Sequence, residues 1–123
     1  MPASGTFEVN LEPQQDENAP AGRMIIHKKY TGDVAGTGVG QMISKRTDGG
    51  AAVYSAIEEF EGTVHGKTGA FTLIHNGYMS SKTQSLDIKI LAGSGSGELS
   101  KISGSMDIIQ TDGEHKYVLN YEL

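Results

Sequence analysis

Residues 53–79, which read VYSAIEEFEGTVHGKTGAFTLIHNGYM, decide the fold of this chain. Polar and apolar residues alternate along two runs, and a glycine-framed turn at residues 65–69 joins them. Because successive side chains of a strand point to opposite faces, the alternation predicts two antiparallel strands. The side chains expected on the inward faces are Tyr54, Ala56, Glu58 and Phe60, followed by Phe71, Leu73, His75, Gly77 and Met79.

The rest of the chain repeats this pattern, so that about eight strands are expected. The predicted strands occupy residues 7–11, 23–31, 34–46, 51–64, 70–80, 84–91, part of 98–110, and 114–123. Short runs rich in glycine, aspartate and serine separate most of them and predict turns. Residues 12–22 are polar, contain two prolines and are expected to form a loop. We interpret residues 1–123 as a single domain.

Closure of the sheet into a barrel is the fold that this pattern favours. Eight antiparallel strands with one apolar face each can bury those faces by closing on themselves, which removes exposed sheet edges. The predicted fold class is therefore all-β, an eight-stranded antiparallel β-barrel, with a two-sheet β-sandwich as the alternative. Side chains just fill the interior of such a barrel, or they leave room for one small ligand.

Composition excludes several classes of function. The chain has no cysteine, which excludes disulfides and thiolate zinc sites. Its net charge of -5 argues against nucleic acid, because binding to phosphates needs clustered lysines and arginines. The N-terminal residues do not resemble a secretory signal, and no apolar run is long enough to cross a membrane. We expect a cytoplasmic protein.

Three runs of the sequence resemble a known family. They are GRMIIHKKYTGDVAGTGVGQM at residues 22–42, IEEFEGTVHGKTGAFTLIHNGYM at 57–79 and SGSGELSKISGSMDI at 94–108. They are similar to a bacterial family of unknown function whose barrel is like that of allene oxide cyclase, a calycin-like fold. The resemblance covers residues 7–123 and implies the eight-stranded barrel. It implies no activity, because no catalytic motif of the plant cyclases matches this chain residue by residue.

A row of polar residues is expected inside the barrel. Directly opposed residues on neighbouring strands share a face, so the parity of residue numbers limits which side chains meet. A short turn after the second strand places Lys28 opposite Gly38. A turn centred on Asp48 then places Gly38 opposite Glu58. The two charged side chains would meet over a position without a side chain.

The next hairpin adds further polar groups to this row. A turn within residues 65–69 is expected to place His75 opposite Phe60 and Gly77 opposite Glu58, so that His75 lies diagonal to Glu58. Tyr54 shares the inward face, four residues from Glu58. The predicted site therefore has Glu58 and His75 as its candidate catalytic residues. Its candidate ligand-binding residues are Lys28, Tyr54, Gly38 and Gly77.

These residues support two functional interpretations and one structural interpretation. We favour a binding protein that takes a small, partly apolar molecule into the interior, since the glycines leave space there. The alternative is an isomerase or cyclase without a cofactor, in which Glu58 or His75 acts as the general base and Lys28 or Tyr54 stabilises negative charge. In the second alternative the polar groups only pair with one another in a filled barrel and fix the strand register.

No cofactor is expected from the sequence, and no metal site, because His75 and Glu58 are too few ligands. The glycine runs at residues 36–40 and 93–97 lead into strands, whereas nucleotide-binding loops lead into a helix. His65 is expected to be an exposed turn residue. The outward side chains Ile25, Val53 and Ile57 would suit contact with another copy of the chain.

Overall fold

The structure, a computed structural model, describes residues 1–15 and 18–123 as a closed antiparallel β-barrel. The strands are β1 (Pro2–Gln14), β2 (Gly22–Gly32), β3 (Val34–Arg46), β4 (Ala52–Val64), β5 (Lys67–Met79), β6 (Gln84–Ile90), β7 (Ser96–Gly97), β8 (Ser103–Thr111) and β9 (Glu114–Glu122). Eight strands form the wall, and the two-residue β7 pairs only with β5. The wall closes because β1 pairs with both β2 and β9, and β4 pairs with both β3 and β5. The predicted eight-stranded barrel is confirmed, and the sandwich is excluded.

Several strand ends differ from the prediction. The first strand extends beyond residues 7–11 at both ends, because the polar residues there also pair through their backbones with β2 and β9. The predicted loop at residues 12–22 is correspondingly shorter, and its residues 16 and 17 lie outside the described residues. Residues 98–102 are not a strand, and β8 begins at Ser103. Within the described part of the chain, no helix is long and apolar enough to cross a membrane.

The register of β3 decides which residues meet Glu58. Lys28 pairs with Gly38, as predicted. The predicted pairing of Gly38 with Glu58 is wrong, since Gly38 pairs with Phe60 and Glu58 pairs with Gly40. The loop between β3 and β4 is centred one residue later than expected, which shifts the register by two and keeps the same side chains inside.

The β4–β5 hairpin also has a different register from the predicted one. His75 pairs with Ala56 instead of Phe60, and Gly77 pairs with Tyr54 instead of Glu58. The reason is a tight two-residue turn, in which His65 and Gly66 have φ angles of 47° and 79°. Positive φ at both central residues is the geometry of a type I′ hairpin turn, which suits the twist of the strands.

One end of the barrel is sealed. The segment between β6 and β8 folds back over this end, and its side chains Leu99 and Ile102 are buried in the core beside Ala3, Val34 and Val64. At the rim, His65 is exposed, as expected, but its Nδ1 lies 2.5 Å from the hydroxyl of Tyr121. We call this the sealed end.

The opposite end is less well covered. The connecting residues 15, 18–21, 47–51, 80–83 and 112–113 surround it. Alternation points Leu11, Met79 and Leu86 toward the interior here, yet they are 48%, 45% and 39% exposed. We call this the open end, because its inward apolar side chains keep contact with solvent.

Candidate functional site

A buried carboxylate, Glu58, lies at the centre of the polar cluster and is 2% exposed. Its Oε1 accepts a hydrogen bond from Lys28 Nζ at 3.1 Å. His75 Nε2 lies 2.8 Å from the same oxygen and donates to it, because an ionised carboxylate can only accept. Its Oε2 accepts a hydrogen bond of 2.5 Å from the Tyr30 hydroxyl. Three donors from two strands therefore converge on one side chain.

The strands bring these residues together across a glycine. Lys28 and Tyr30 are two residues apart on β2 and share its inward face. Glu58 is on β4, so β3 separates it from both of them. At this place β3 contributes Gly38, where a Cβ atom would overlap Glu58 Oε2. The absence of a side chain at Gly38 is what lets the carboxylate reach the donors of β2.

The surroundings keep the carboxylate ionised. Burial raises the pKa of Glu58, but the hydrogen bonds from His75 and Tyr30 and the charge of Lys28 outweigh burial and lower that pKa to about 2. Burial and the negative charge of Glu58 both raise the pKa of Tyr30 well above its ordinary value. At neutral pH, Glu58 is therefore charged and Tyr30 is a neutral donor.

Aromatic rings stabilise the buried ammonium group. Lys28 Nζ lies 4.9 Å from the centre of the Phe7 ring and 5.8 Å from that of Tyr30. A cation over an aromatic face is attracted to the ring, and the attraction grows when water is excluded. The Tyr30 ring in turn meets the Phe60 ring edge to face, with 5.5 Å between the ring centres. The cluster therefore rests on an aromatic core.

The structure brings four of the six predicted site residues together and separates the other two. Lys28, Gly38, Glu58 and His75 are in mutual contact through the Glu58 carboxylate. Tyr54 and Gly77 instead pack against one another nearer the open end, where a Cβ on Gly77 would overlap the Tyr54 ring. Burial raises the pKa of Tyr54. The functional roles of all six stay predictions.

Tyr30 is the member of the cluster that sequence reasoning missed. The sequence placed it on the inward face with Lys28, which was the available signal. The prediction of Tyr54 rests on its place on the inward face of the same strand as Glu58. On a strand, four residues span about 13 Å, so a tyrosine at that spacing is too far away.

One nitrogen of the cluster is open to a further partner. His75 Nδ1 has no hydrogen-bond partner among residues 1–15 and 18–123. In the same part of the chain, every fully buried side-chain nitrogen or oxygen has a partner. It follows that Nδ1 keeps some contact with solvent.

Neither the described cluster nor its surroundings assemble a metal centre. No group of three or more histidines, aspartates or glutamates is close enough to hold a metal ion in the described ranges. The donors around Glu58 are an ammonium, an imidazole and a phenol, and they already satisfy the carboxylate.

Comparisons with known proteins point to one family. A family described as "Protein of unknown function (DUF3224)" matches residues 3–121. A crystal structure of a protein of unknown function from this family, from Shewanella oneidensis MR-1, is similar to the chain, with a TM-score of 0.92 and 30% sequence identity. The similarity covers 98% of this chain and 95% of that one. The comparison with curated proteins finds no match. The likeness to allene oxide cyclase stays a prediction.

Proposed function

Since the chain belongs to the DUF3224 family, a family of unknown function, we propose its function from the barrel itself: it binds a small, partly apolar molecule at the open end. The observation that carries this proposal is the contrast between the two ends. Inward Leu11, Met79 and Leu86 are 39–48% exposed at one end, whereas Leu99 is fully buried at the other.

Exposed inward side chains favour an apolar ligand. Apolar surface in water costs about 25 cal/mol for each Å² that could be buried, so a ligand that covers these side chains gains affinity. Ligand sites in small barrels lie at their mouths and combine an apolar lining with a few polar groups. Half-buried Met24, Met42 and Tyr54 extend the lining from the open end toward the interior.

The polar cluster supports recognition of a hydrogen-bonding head group. Lys28 can donate three hydrogen bonds, and one of them goes to Glu58. His75 keeps Nδ1 available for a further bond. Lys28 can donate to a hydroxyl, carbonyl or carboxyl oxygen. Because Nε2 of His75 donates to Glu58, Nδ1 of the neutral ring is an acceptor and can bind a hydroxyl group. Fatty acids and alkylphenols are therefore suitable ligand classes.

Binding is favoured over proton transfer by the state of Glu58. A general base works best when its pKa is near the pH of the reaction. With a pKa of about 2, Glu58 is a weak base at neutral pH. Its charge instead holds Lys28 and His75 in fixed positions, which suits the recognition of a head group.

Thermal unfolding in the presence of octanoic acid or 4-octylphenol tests the proposal. We expect either compound to raise the midpoint of unfolding, and Leu86→Asp to abolish the increase. Lys28→Met should weaken it. Ile109→Asp is the matched control, since Ile109 is 45% exposed on the outer face of β8. Native mass spectrometry of protein from its own host would then identify the natural ligand.

Two results would contradict the proposal. One is that neither compound changes the midpoint of unfolding. The other is that Leu86→Asp leaves the increase unchanged, which would place the apolar binding surface elsewhere on the protein.

A further inference from the structure

The outer wall of the barrel carries a face with four exposed apolar side chains. It is centred on β3 and β4, where Val39, Ile43, Val53 and Ile57 point outward and are 48–59% exposed. A depression of about 430 Å³ lies on this face, with Ile43, Ile57 and Ile74 in its lining. Soluble proteins seldom leave such clusters in water unless another surface covers them.

The strand register gives this face a centre. Gln41 on β3 pairs with Ile57 on β4, and Ile57 pairs with Ile74 on β5. We call the line through these three residues the central row. Since strands rise about 3.4 Å for each residue, positions four residues away lie about 14 Å from this row.

Charges of opposite sign lie at the two sides of the central row. Lys45 is four residues from Gln41 on one side, opposite Val53. Glu61 is four residues from Ile57 on the other side, opposite Thr37. Neither Lys45 nor Glu61 has an ion pair within residues 1–15 and 18–123. Lys29 on β2 also lies opposite Thr37, but Glu59 and Glu61 together leave this side of the face net negative. A partner with the reverse arrangement would place its Lys45 on this side.

We propose that this face binds a second copy of the same chain, with a two-fold axis along the central row. Such an axis reverses the strand direction of the partner, which places Ile43 of each copy on Val39 of the other. It also places Lys45 beside Glu61 of the other copy, one strand spacing of about 4.8 Å to the side. Ile57 meets its own counterpart on the axis, as in other isologous interfaces.

The curvature of the barrel limits the size of the contact. Two strands and about nine residues of each form the contact, which is roughly 10 Å by 30 Å. This is below the roughly 800 Å² for each partner that is standard for stable complexes. The dimer is therefore weak and reversible, with a dissociation constant in the micromolar range or above.

Sedimentation equilibrium of the full chain between about 10 μM and about 1 mM tests the proposal. We expect the mass to rise from 13.1 kDa toward twice that value. Ile57→Lys should raise the dissociation constant by about 30-fold or more, as for the removal of a central anchor. The matched control Ile109→Lys, on the outer face of β8, should leave it unchanged.

Charge reversal tests the orientation of the two copies. Lys45→Glu and Glu61→Lys should each raise the dissociation constant about tenfold, because each creates like-charge contacts. The double variant should restore dimerisation. As a geometric test, Gln41→Cys should be cross-linked into a dimer by a short bis-maleimide, because the chain has no other cysteine, this position lies on the axis, and sheets packed face to face are about 10 Å apart. Ile109→Cys should not.

A wild-type protein that stays at 13.1 kDa at about 1 mM would overturn the proposal. A dimer that tolerates Ile57→Lys would overturn it as well, because the contact would then lie on another surface. If the double variant Lys45→Glu/Glu61→Lys does not dimerise as tightly as the wild type, the two-fold arrangement is overturned.

Discussion

At the scale of single residues, Glu58 is expected to control how stability depends on pH. Its pKa falls from an ordinary value of 4.5 to about 2 in the folded protein. Because the folded pKa is lowered, the stabilisation is present above about pH 4.5 and is lost as the pH falls toward about 2. At about 1.4 kcal/mol for each pKa unit, the loss amounts to about 3 kcal/mol. Urea denaturation at a series of pH values measures it.

Lys28→Met separates the charge of Lys28 from its packing. The variant replaces the ammonium group by an apolar side chain and so removes one of the groups that lower the pKa of Glu58. The loss of stability in acid should therefore be smaller than in the wild type and should be complete at a higher pH. Glu8→Gln, which changes an exposed carboxylate on the outer face of β1, is the control and should follow the wild type. A free energy of unfolding that is constant across this acidic range would contradict the assignment of Glu58.

The composition of the cluster was only partly predictable from the sequence. Alternation alone puts Lys28, Glu58 and His75 inside, and this survives the errors in register because each error was an even number of residues. The choice between Tyr30 and Tyr54 was not predictable in this way. Both tyrosines have inward parity. The spacing along β4 excludes Tyr54, but only the three-dimensional position of β2 relative to β4 shows that the Tyr30 hydroxyl meets Glu58.

At the scale of elements, β3 is expected to tolerate a side chain at Gly40 but not at Gly38. A Cβ on Gly38 would overlap the buried Glu58 carboxylate, so Gly38→Ala should cost about 2–3 kcal/mol. A Cβ on Gly40 would meet no atom closer than 3.1 Å, and Gly40→Ala should cost less than about 1 kcal/mol. The free energies of unfolding in urea give the comparison. Equal costs would mean that Gly38 does not set the position of Glu58.

The strand registers could not be read from the sequence for a reason that lies in the turns. Residues 65–69 contain two glycines, and a turn centred on either side of Lys67 satisfies the alternation of both strands. The structure selects His65 and Gly66, whose positive φ angles form the tight turn. Propensity identifies such a turn only when the two central positions are already known.

At the scale of the whole molecule, closure was predictable but the difference between the ends was not. Eight strands with one apolar face each leave few ways to bury those faces, and the barrel is the one observed. Alternation does not separate the segment with Leu99 and Ile102 from the strand that follows, because Ile102 is in phase with Met106 and Ile108. Only its packing against Ala3 and Val64 identifies it as the seal.

The two ends should therefore respond differently to the same substitution. Leu99→Ala removes a fully buried side chain from the sealed end and should cost about 3 kcal/mol. Leu86→Ala removes an inward side chain that is still 39% exposed at the open end, and it should cost about 1 kcal/mol or less. Urea denaturation of both variants gives the two values. A large loss in Leu86→Ala would mean that this side chain is part of the folded core. A small loss would mean that the fold gains little from it, so that the apolar lining of the open end is free to serve a ligand.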